Sequence, residues 1–157
     1  MRDREIVIDR TGARCGCEYE WGVHVAFFAD GVGLTSAQIT SLTHGASADH
    51  CWSSPRDRVL IDVADALHDK SCIDDGLWER LSEEMTEAEI LDLLMLCGWY
   101  HAISFAANGV ELEMEPGAPR IIDVLSPSTR RRTSGTHRHR PGCARTSPAK
   151  WDSLSPM

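Results

Sequence analysis

The segment EILDLLMLCGWYHAISFAA, residues 89–107, is the sequence feature that most limits what this chain can fold into. Its apolar residues recur at helical spacing, and Thr86 and Glu89 have the spacing of a capping box in front of it. We therefore predict a central helix that begins after Thr86 and ends at Asn108 and Gly109. The rest of residues 1–117 has the same spacing and no convincing strand alternation, so the sequence predicts an all-α domain.

Five further helices are expected before this one, from apolar periodicity and from residues typical of helix ends. Thr35 and Gln38 have the spacing of a second capping box. Ser54 followed by Pro55 is an N-cap with proline in the first turn. The predicted ranges are residues 2–13, 17–29, 35–44, 55–69 and 76–82.

Charge and composition change abruptly near the C-terminus. Residues 1–117 carry eight Lys or Arg against 22 Asp or Glu, whereas residues 118–157 carry eight against two. The acidic body disfavours nucleic acid as a partner. The second segment is rich in Arg, Ser, Thr, Pro and His and has few aliphatic residues, so it cannot bury enough surface to offset its ordering entropy. We predict one domain over residues 1–117 and a disordered basic tail over residues 118–157.

Two further compositional features restrict the class of protein. The sequence has no run of the roughly 20 apolar residues that a membrane span needs, and its start, MRDREIVIDR, lacks the apolar stretch of a secretory signal. Its six cysteines lack the density and spacing of a disulfide-stapled secreted fold. We expect a cytoplasmic protein with reduced thiols and no membrane partner.

The stretch CGCEYEWGVH, residues 15–24, concentrates reactive side chains. On a helix beginning near Cys17, positions 17, 20, 21, 24 and 28 share one face. Glu20 and His24 are four residues apart and can touch, whereas Cys17 and His24 lie about 10 Å apart along the axis. Because a thiol at a helix N-terminus is favoured as the thiolate, Cys17 is the best nucleophile candidate. The aromatic residues predicted to line the substrate pocket are Tyr19, Trp21 and Phe28.

A purely structural interpretation of the same residues stays open. A histidine on a partly apolar helix face is commonly a hydrogen-bonded core residue, and Glu20 then serves only as its partner. A C-x-C pair with a distant histidine is not a zinc-finger spacing, so we expect neither a metal nor another cofactor. Packing or solvent exposure also explains the weaker candidates, which are His68 with Cys72, His50 with Cys51, and His101.

The stretch from Arg4 to Leu34, REIVIDRTGARCGCEYEWGVHVAFFADGVGL, resembles the core motif of the carboxymuconolactone decarboxylase-like family, which includes the alkylhydroperoxidase D proteins. That motif has a Glu, a Cys twelve residues later, a second Cys three further on, and a His four beyond that. Glu5, Cys17 and His24 occupy three of these positions, and Glu20 stands in place of the second Cys. The resemblance extends over about residues 2–115.

The resemblance implies an alkylhydroperoxidase D-like bundle of about six helices that assembles as a homo-oligomer, a trimer or a hexamer. It also implies a proton relay in which Glu5 orients His24 and His24 acts as general base through water. Cys17 would then be the sulfur that reduces a hydroperoxide. Since Glu20 cannot form a disulfide, the oxidised Cys17 would need Cys15 or an outside thiol to resolve it.

Three hypotheses about function follow. The first is a thiol-dependent peroxidase with the Glu-Cys-His relay. The second is a decarboxylase or other proton-transfer enzyme on a small lactone or organic acid, in which His24 and Glu20 move protons without a second sulfur. The third is a catalytically silent helical oligomerisation module. The missing second Cys, an N-terminal segment that is shorter than in the family, and the unusual tail favour this third hypothesis.

Overall fold

The prediction of an all-α protein with six helices is confirmed. The structure is a computed structural model that describes residues 1–124, and no strand occurs within them. The predicted alkylhydroperoxidase D-like arrangement of these helices is not tested and stays a prediction. The helices are α1 (Arg2–Arg14), α2 (Glu18–Phe27), α3 (Ser36–His44), α4 (Pro55–Lys70), α5 (Asp75–Glu84) and α6 (Glu87–Val110).

Helix α1 lies at the centre of the fold and contacts α2, α3, α4 and α6. Ile6, Val7 and Ile8 are three consecutive residues, and all three side chains are fully buried. Residues 5–12 of α1 are all buried, so the middle of this helix is covered on every side by its neighbours.

Helix α6, expected at the centre from its sequence, instead uses one face to pack on α1, α2 and α5. Its most apolar window has a mean hydropathy of 1.5 with 33% of that window buried, so by length and composition it is the one described helix that passes the test for a membrane span. Core helices of soluble proteins pass the same test. This property therefore does not establish a localisation, and the cytoplasmic assignment stays a prediction.

The predicted helix N-termini are present as hydrogen-bonded caps. The Thr35–Gln38 and Thr86–Glu89 pairs both form complete capping boxes. Ser54 accepts a hydrogen bond from the backbone N–H of Asp57 in front of α4. The C-terminus of α6 differs from the prediction, because the helix continues through Gly109 and ends at Val110. The residue that follows, Glu111, has a left-handed backbone with φ 55°.

The loop between α3 and α4 is fixed by a buried indole. Trp52 is fully buried, and its Nε1 donates to Ser41 Oγ at 2.7 Å. Ser41 Oγ in turn lies 2.7 Å from Asp49 Oδ2. Because the polar edge of the ring is satisfied, its burial contributes the full hydrophobic gain of a large side chain.

Residues 118–124, which the sequence analysis assigned to the tail, pack against α2. The backbone N–H of Ile121 donates to Glu18 Oε2 at 2.8 Å, and a short 3₁₀ helix covers Ile121–Asp123. Gly22 allows this approach, since a Cβ there would lie 2.7 Å from the carbonyl oxygen of Pro119. The remainder of the predicted tail, residues 125–157, lies outside the described residues.

An ion pair made by a buried arginine ties α1 to α3 and α4. Arg10 is buried, and its guanidinium donates to both carboxylate oxygens of Asp65 at 2.7 Å each. The same group donates to the carbonyl of Leu42 at 2.9 Å. This bidentate pairing with the Asp65 carboxylate fixes the orientation of the guanidinium.

Replacing Arg10 with alanine is expected to lower the free energy of unfolding by about 2–3 kcal/mol, because the charge-assisted hydrogen bonds to Asp65 are lost while Asp65, which is 26% exposed, keeps Arg14 as a partner. Arg80→Ala is the matched control, because it breaks a 2.8 Å pair with Asp62 whose arginine is 55% exposed; we expect a loss under about 1 kcal/mol. Urea unfolding followed by circular dichroism measures both. Similar losses in the two variants would contradict this account of Arg10.

Candidate functional site

The site centres on a buried imidazole held by a buried carboxylate. His24 Nδ1 lies 2.7 Å from Glu5 Oε2, and both residues are buried. Glu5 stands in the first turns of α1 and His24 in the last turns of α2. A carboxylate at this distance accepts the Nδ1–H, which leaves the lone pair on Nε2.

Two glycines allow α2 to fold back onto α1. Gly16 lies in the connection and has a left-handed backbone with φ 59°, which glycine adopts without steric cost. Gly12 faces Trp21 on α2, and a Cβ on Gly12 would lie 3.4 Å from the Trp21 Cβ. Close packing of the two helices brings Glu5 within reach of His24, although 19 residues separate them.

The Nε2 edge of His24 faces two further polar groups. Tyr100 Oη lies 3.3 Å from Nε2, and Glu20 Oε2 lies 3.7 Å from it. Arg4 donates to Tyr100 Oη at 3.4 Å, so the hydroxyl proton of Tyr100 is free to point at Nε2. The resulting chain of donors runs from Arg4 through Tyr100 and His24 to Glu5.

A second buried carboxyl lies beside this chain. Asp9 is four residues after Glu5 on α1, is almost fully buried, and has no hydrogen-bond partner among residues 1–124. Burial, and then the negative charge of Glu5, raise the pKa of Asp9 well above its ordinary value. Asp9 is therefore held in its protonated, neutral form.

Glu5, Asp9 and His24 place their ligand atoms within 4.8 Å of one another, which raises the question of a metal. The separation of 2.7 Å between Glu5 Oε2 and His24 Nδ1 is that of a charge-assisted hydrogen bond. Two ligands of one tetrahedral zinc ion stand farther apart, at about 3.3 Å or more. This trio fits a proton-holding network better than a metal site.

The predicted site residues fall into two groups. Glu5, Glu20, His24 and Phe28 come together, with the Phe28 ring 5.1 Å from the imidazole and 40% exposed. The other three lie apart from the polar atoms that meet His24. The Cys17 side chain is fully buried at the N-cap of α2, Trp21 is a fully buried core residue, and Tyr19 donates to Glu115 at 3.1 Å.

Three residues of the network, Arg4, Asp9 and Tyr100, were absent from the sequence prediction. Asp9 was within reach of sequence reasoning, because it lies four residues from Glu5 on the same helix. Arg4 was not, since it is adjacent to Glu5 and joins the network through Tyr100 on α6. Tyr100 was not, since it stands 76 residues from His24 and meets it only through the packing of α6 on α2.

A groove with a volume of about 640 Å³ shares one residue with this network, Arg4, and is not lined by Glu5, His24 or Tyr100. Its lining comes mainly from α1 and α6, and Arg4 forms part of its wall. The groove is mostly apolar, with Val7, Leu93 and Trp99 among its walls. It therefore offers room for a small molecule next to the guanidinium that contacts Tyr100.

Comparisons with protein-family models, with curated proteins and with solved structures find no match for this chain. The resemblance to the carboxymuconolactone decarboxylase-like family thus depends on the motif residues alone. Membership of that family stays a prediction, and the function has to be argued from the geometry of the site.

Asp9→Asn is expected to remove a pH-dependent loss of stability. The folded-state pKa of Asp9 is raised above its ordinary value of 3.8. The stability that protonated Asp9 contributes to the fold is therefore fully present below about pH 3.8, and it is lost as the pH rises toward the folded-state pKa. Asparagine cannot ionise. The melting temperature of Asp9→Asn relative to wild type should therefore rise between about pH 4 and about pH 8.

The control is Asp92→Asn, which changes an exposed carboxylate on α6. Melting curves by circular dichroism at both pH values give the comparison. A constant difference between Asp9→Asn and wild type across this range would contradict the raised folded-state pKa of Asp9.

Proposed function

We propose that this protein is a proton-transfer enzyme of the carboxymuconolactone decarboxylase-like type, acting on a small lactone or organic acid. The observation that carries the proposal is the imidazole of His24, with Nδ1 held by Glu5 at 2.7 Å and Nε2 facing Tyr100 at 3.3 Å. A histidine with one nitrogen held by a carboxylate and the other directed toward a reacting group is the arrangement of a general base.

Glu5 fixes the orientation of the His24 imidazole and stabilises its protonated form. Accepting the Nδ1–H selects the tautomer that leaves Nε2 basic. When Nε2 takes a proton, the resulting imidazolium is stabilised by the Glu5 carboxylate, which is buried and therefore little screened by water. Glu5 is in this role a positioning residue.

Arg4 and Tyr100 supply hydrogen-bond donors on the same side of His24. The Arg4 side chain is 55% exposed, so its guanidinium can reach a carboxylate of the substrate from the groove. The second arginine of the wall, Arg56, is paired with Asp3 and Glu89, so Arg4 is the cation that is better placed to meet a substrate. These donors favour a substrate with a negative charge that increases or moves during the reaction.

The proposed step begins with removal of a proton from the carbon next to a carbonyl. His24 Nε2 takes that proton, the C–H bonding pair becomes the enolate, and donors from Tyr100 and Arg4 stabilise the enolate oxygen. In a decarboxylation the broken bond is instead C–C, carbon dioxide leaves, and His24 delivers a proton to the carbon. Neither sequence requires a sulfur or a second cysteine.

A thiol-dependent peroxidase is the second candidate. Its supporting observation is the position of Cys17 as the N-cap of α2, at the positive end of the helix dipole. A hydroperoxide must reach the sulfur, however, and the Cys17 side chain is fully buried. The burial of Cys17 is the reason for placing proton transfer first.

Hydrogen–deuterium exchange in D₂O tests the proton-transfer step even when the final product is not identified. Proton NMR of small carboxylated lactones and 2-oxo acids should show exchange next to the carbonyl with the wild-type protein. His24→Gln should reduce the rate by about 10²–10⁴-fold, the usual contribution of a general base. His50→Gln, which changes an exposed histidine, is the matched control and should keep the rate.

Cys17→Ser separates the two candidates. Under proton transfer it should retain exchange within about threefold, because the sulfur takes no part. Under the peroxidase hypothesis the wild type consumes hydroperoxide with an added thiol, and both Cys17→Ser and His24→Gln lose that activity. If the wild-type protein exchanges none of these substrates, the proposal fails.

We also propose that the protein acts as a homo-oligomer in which α6 forms the contact with a second copy. Leu91, Met95 and Trp99 follow at four-residue intervals on one face of α6 and are 61–67% exposed. Gly98 and Ala102 lie on the same face and let another helix approach closely. An exposed apolar face of this kind is rare on a monomer and typical of an interface.

Size-exclusion chromatography with light scattering measures this association. The double variant Leu91→Glu/Met95→Glu should shift the wild-type oligomer to a monomer, because two buried carboxylates without partners would stand in the contact. Trp78→Glu is the control, since it changes an exposed apolar residue on α5. A monomeric wild type, or an oligomer that survives the double variant, would contradict the proposed role of α6.

A further inference from the structure

A second cluster of reactive side chains lies at the opposite end of α1 from Glu5. Cys15 follows the last residue of α1, His68 stands in the last turn of α4, and His101 lies in the second half of α6. All three are partly buried, and their sulfur and nitrogen ligand atoms lie within 4.8 Å of one another. We propose that Cys15, His68 and His101 bind a zinc ion.

The separations between the ligand atoms lie within about 0.2 Å of those of a tetrahedral zinc site. Cys15 Sγ lies 3.8 Å from His68 Nδ1, and His68 Nδ1 lies 3.1 Å from His101 Nε2. With Zn–S near 2.3 Å and Zn–N near 2.0–2.1 Å, ligand atoms of one tetrahedron stand about 3.3–3.7 Å apart. Movements of the ligand atoms by a few tenths of an ångström would therefore bring them to the separations of a tetrahedral zinc site.

The orientation of His101 is already that of a metal-bound imidazole. Its Nδ1 lies 2.8 Å from the backbone carbonyl of Cys97 and donates to it. The lone pair is thereby on Nε2, the atom that faces His68. A hydrogen bond from the non-ligating nitrogen to a carbonyl is the usual outer contact that fixes a metal-binding histidine.

The backbone around Cys15 is also held in place. Asn108 on α6 donates from Nδ2 to the carbonyl oxygen of Cys15 at 3.1 Å. This bond joins the residue after α1 to the helix that carries His101, so two of the three ligands are fixed relative to each other. A site held by separate rigid elements binds a metal with less ordering cost than a flexible loop.

The charges near the cluster accommodate a divalent cation. Arg14 stands close by, and two carboxylates, Asp65 and Asp69, pair with it. Asp65 also pairs with Arg10, so the two arginines and the two carboxylates sum to zero charge, and the carboxylates offset the repulsion between Arg14 and a cation. On binding, Cys15 gives up its thiol proton to solvent, and the thiolate bonds to zinc together with two neutral imidazoles.

Three protein ligands leave one position of the tetrahedron for water or another small ligand. The partial burial of all three residues is consistent with an open fourth position. One sulfur with two nitrogens suits zinc better than magnesium or calcium, which prefer oxygen. The inference does not depend on the proposed proton-transfer function, because no residue is shared with the His24 network.

Cobalt titration of the full chain tests the site. After treatment with a chelator and under reducing conditions, the protein should take up one Co²⁺ at this cluster and develop the near-ultraviolet thiolate-to-cobalt band with the visible absorption of four-coordinate cobalt. Added Zn²⁺ should remove both bands. Zn²⁺ should also raise the melting temperature of the wild type, since it binds only the folded form.

Cys15→Ser should abolish the thiolate band and the zinc-dependent rise in melting temperature. His101→Ala and His68→Ala should each weaken binding by more than about 100-fold, beyond the loss typical of changing an outer partner. Two ligand variants on different helices are used so that a folding defect in one leaves the other informative. Cys51→Ser and His50→Ala are the matched controls and should bind as the wild type does.

The chain carries further candidate ligands at His137, His139 and Cys143, outside the described residues. The triple variant His137→Ala/His139→Ala/Cys143→Ser should keep the thiolate band and the affinity for zinc. Loss of the band in this variant, its survival in Cys15→Ser, or its absence in the wild type would each overturn the proposal.

Discussion

The burial of charge in helix α1 is the constraint on which the rest of the structure depends. The helix lies inside the fold, and it carries Glu5, Asp9 and Arg10 between apolar residues that are fully covered. An ionised group in such a place is strongly unfavourable unless it is paired. Arg10 is paired with Asp65 on α4, and Glu5 is hydrogen-bonded to His24 on α2. Asp9, which has no partner within the described part of the chain, keeps its proton.

These requirements determine which helices surround α1 and in what register. The Arg10 pair fixes α4, and the Glu5 contact fixes α2, so each paired polar residue of α1 selects one neighbour. Tyr100 then brings α6 against the free nitrogen of His24. A site for proton transfer thus arises from groups that the fold needs for its own electrostatic balance, and this is why a structural and a chemical role are difficult to separate by stability measurements alone.

Sequence reasoning located the helices and half of the site because both depend on local rules. The capping boxes at Thr35 and Thr86 are set by residues three apart, and the contact of Glu20 with His24 by residues four apart. Burial of Cys17 was not accessible in the same way. A helical pattern shows which residues share a face, but it does not show which face turns inward or how deep a given side chain lies.

The position of α6 has a related explanation. Its apolar residues extend around the helix, so the pattern predicts burial on every side, yet Leu91 and Met95 are exposed in the single chain. Coverage of that face by a second copy would reconcile the apolar pattern with the exposure, because the core of an interface between identical copies is apolar, as a protein core is. The expectation of a central helix would then be correct for the assembly and wrong for the monomer.

Helix α6 also connects the two sites. Tyr100 and His101 are adjacent and therefore point about 100° apart around the helix, one toward His24 and the other toward His68. The two sites lie at opposite ends of α1, roughly 15 Å apart from Glu5 to Cys15 at 1.5 Å per residue. Across roughly 15 Å, one net positive charge changes the energy of an ionised group by only about 1 kcal/mol at an effective dielectric constant of about 20. Any stronger coupling would have to travel through a rotation or shift of α6, since neighbouring residues of this helix supply a contact atom to each site.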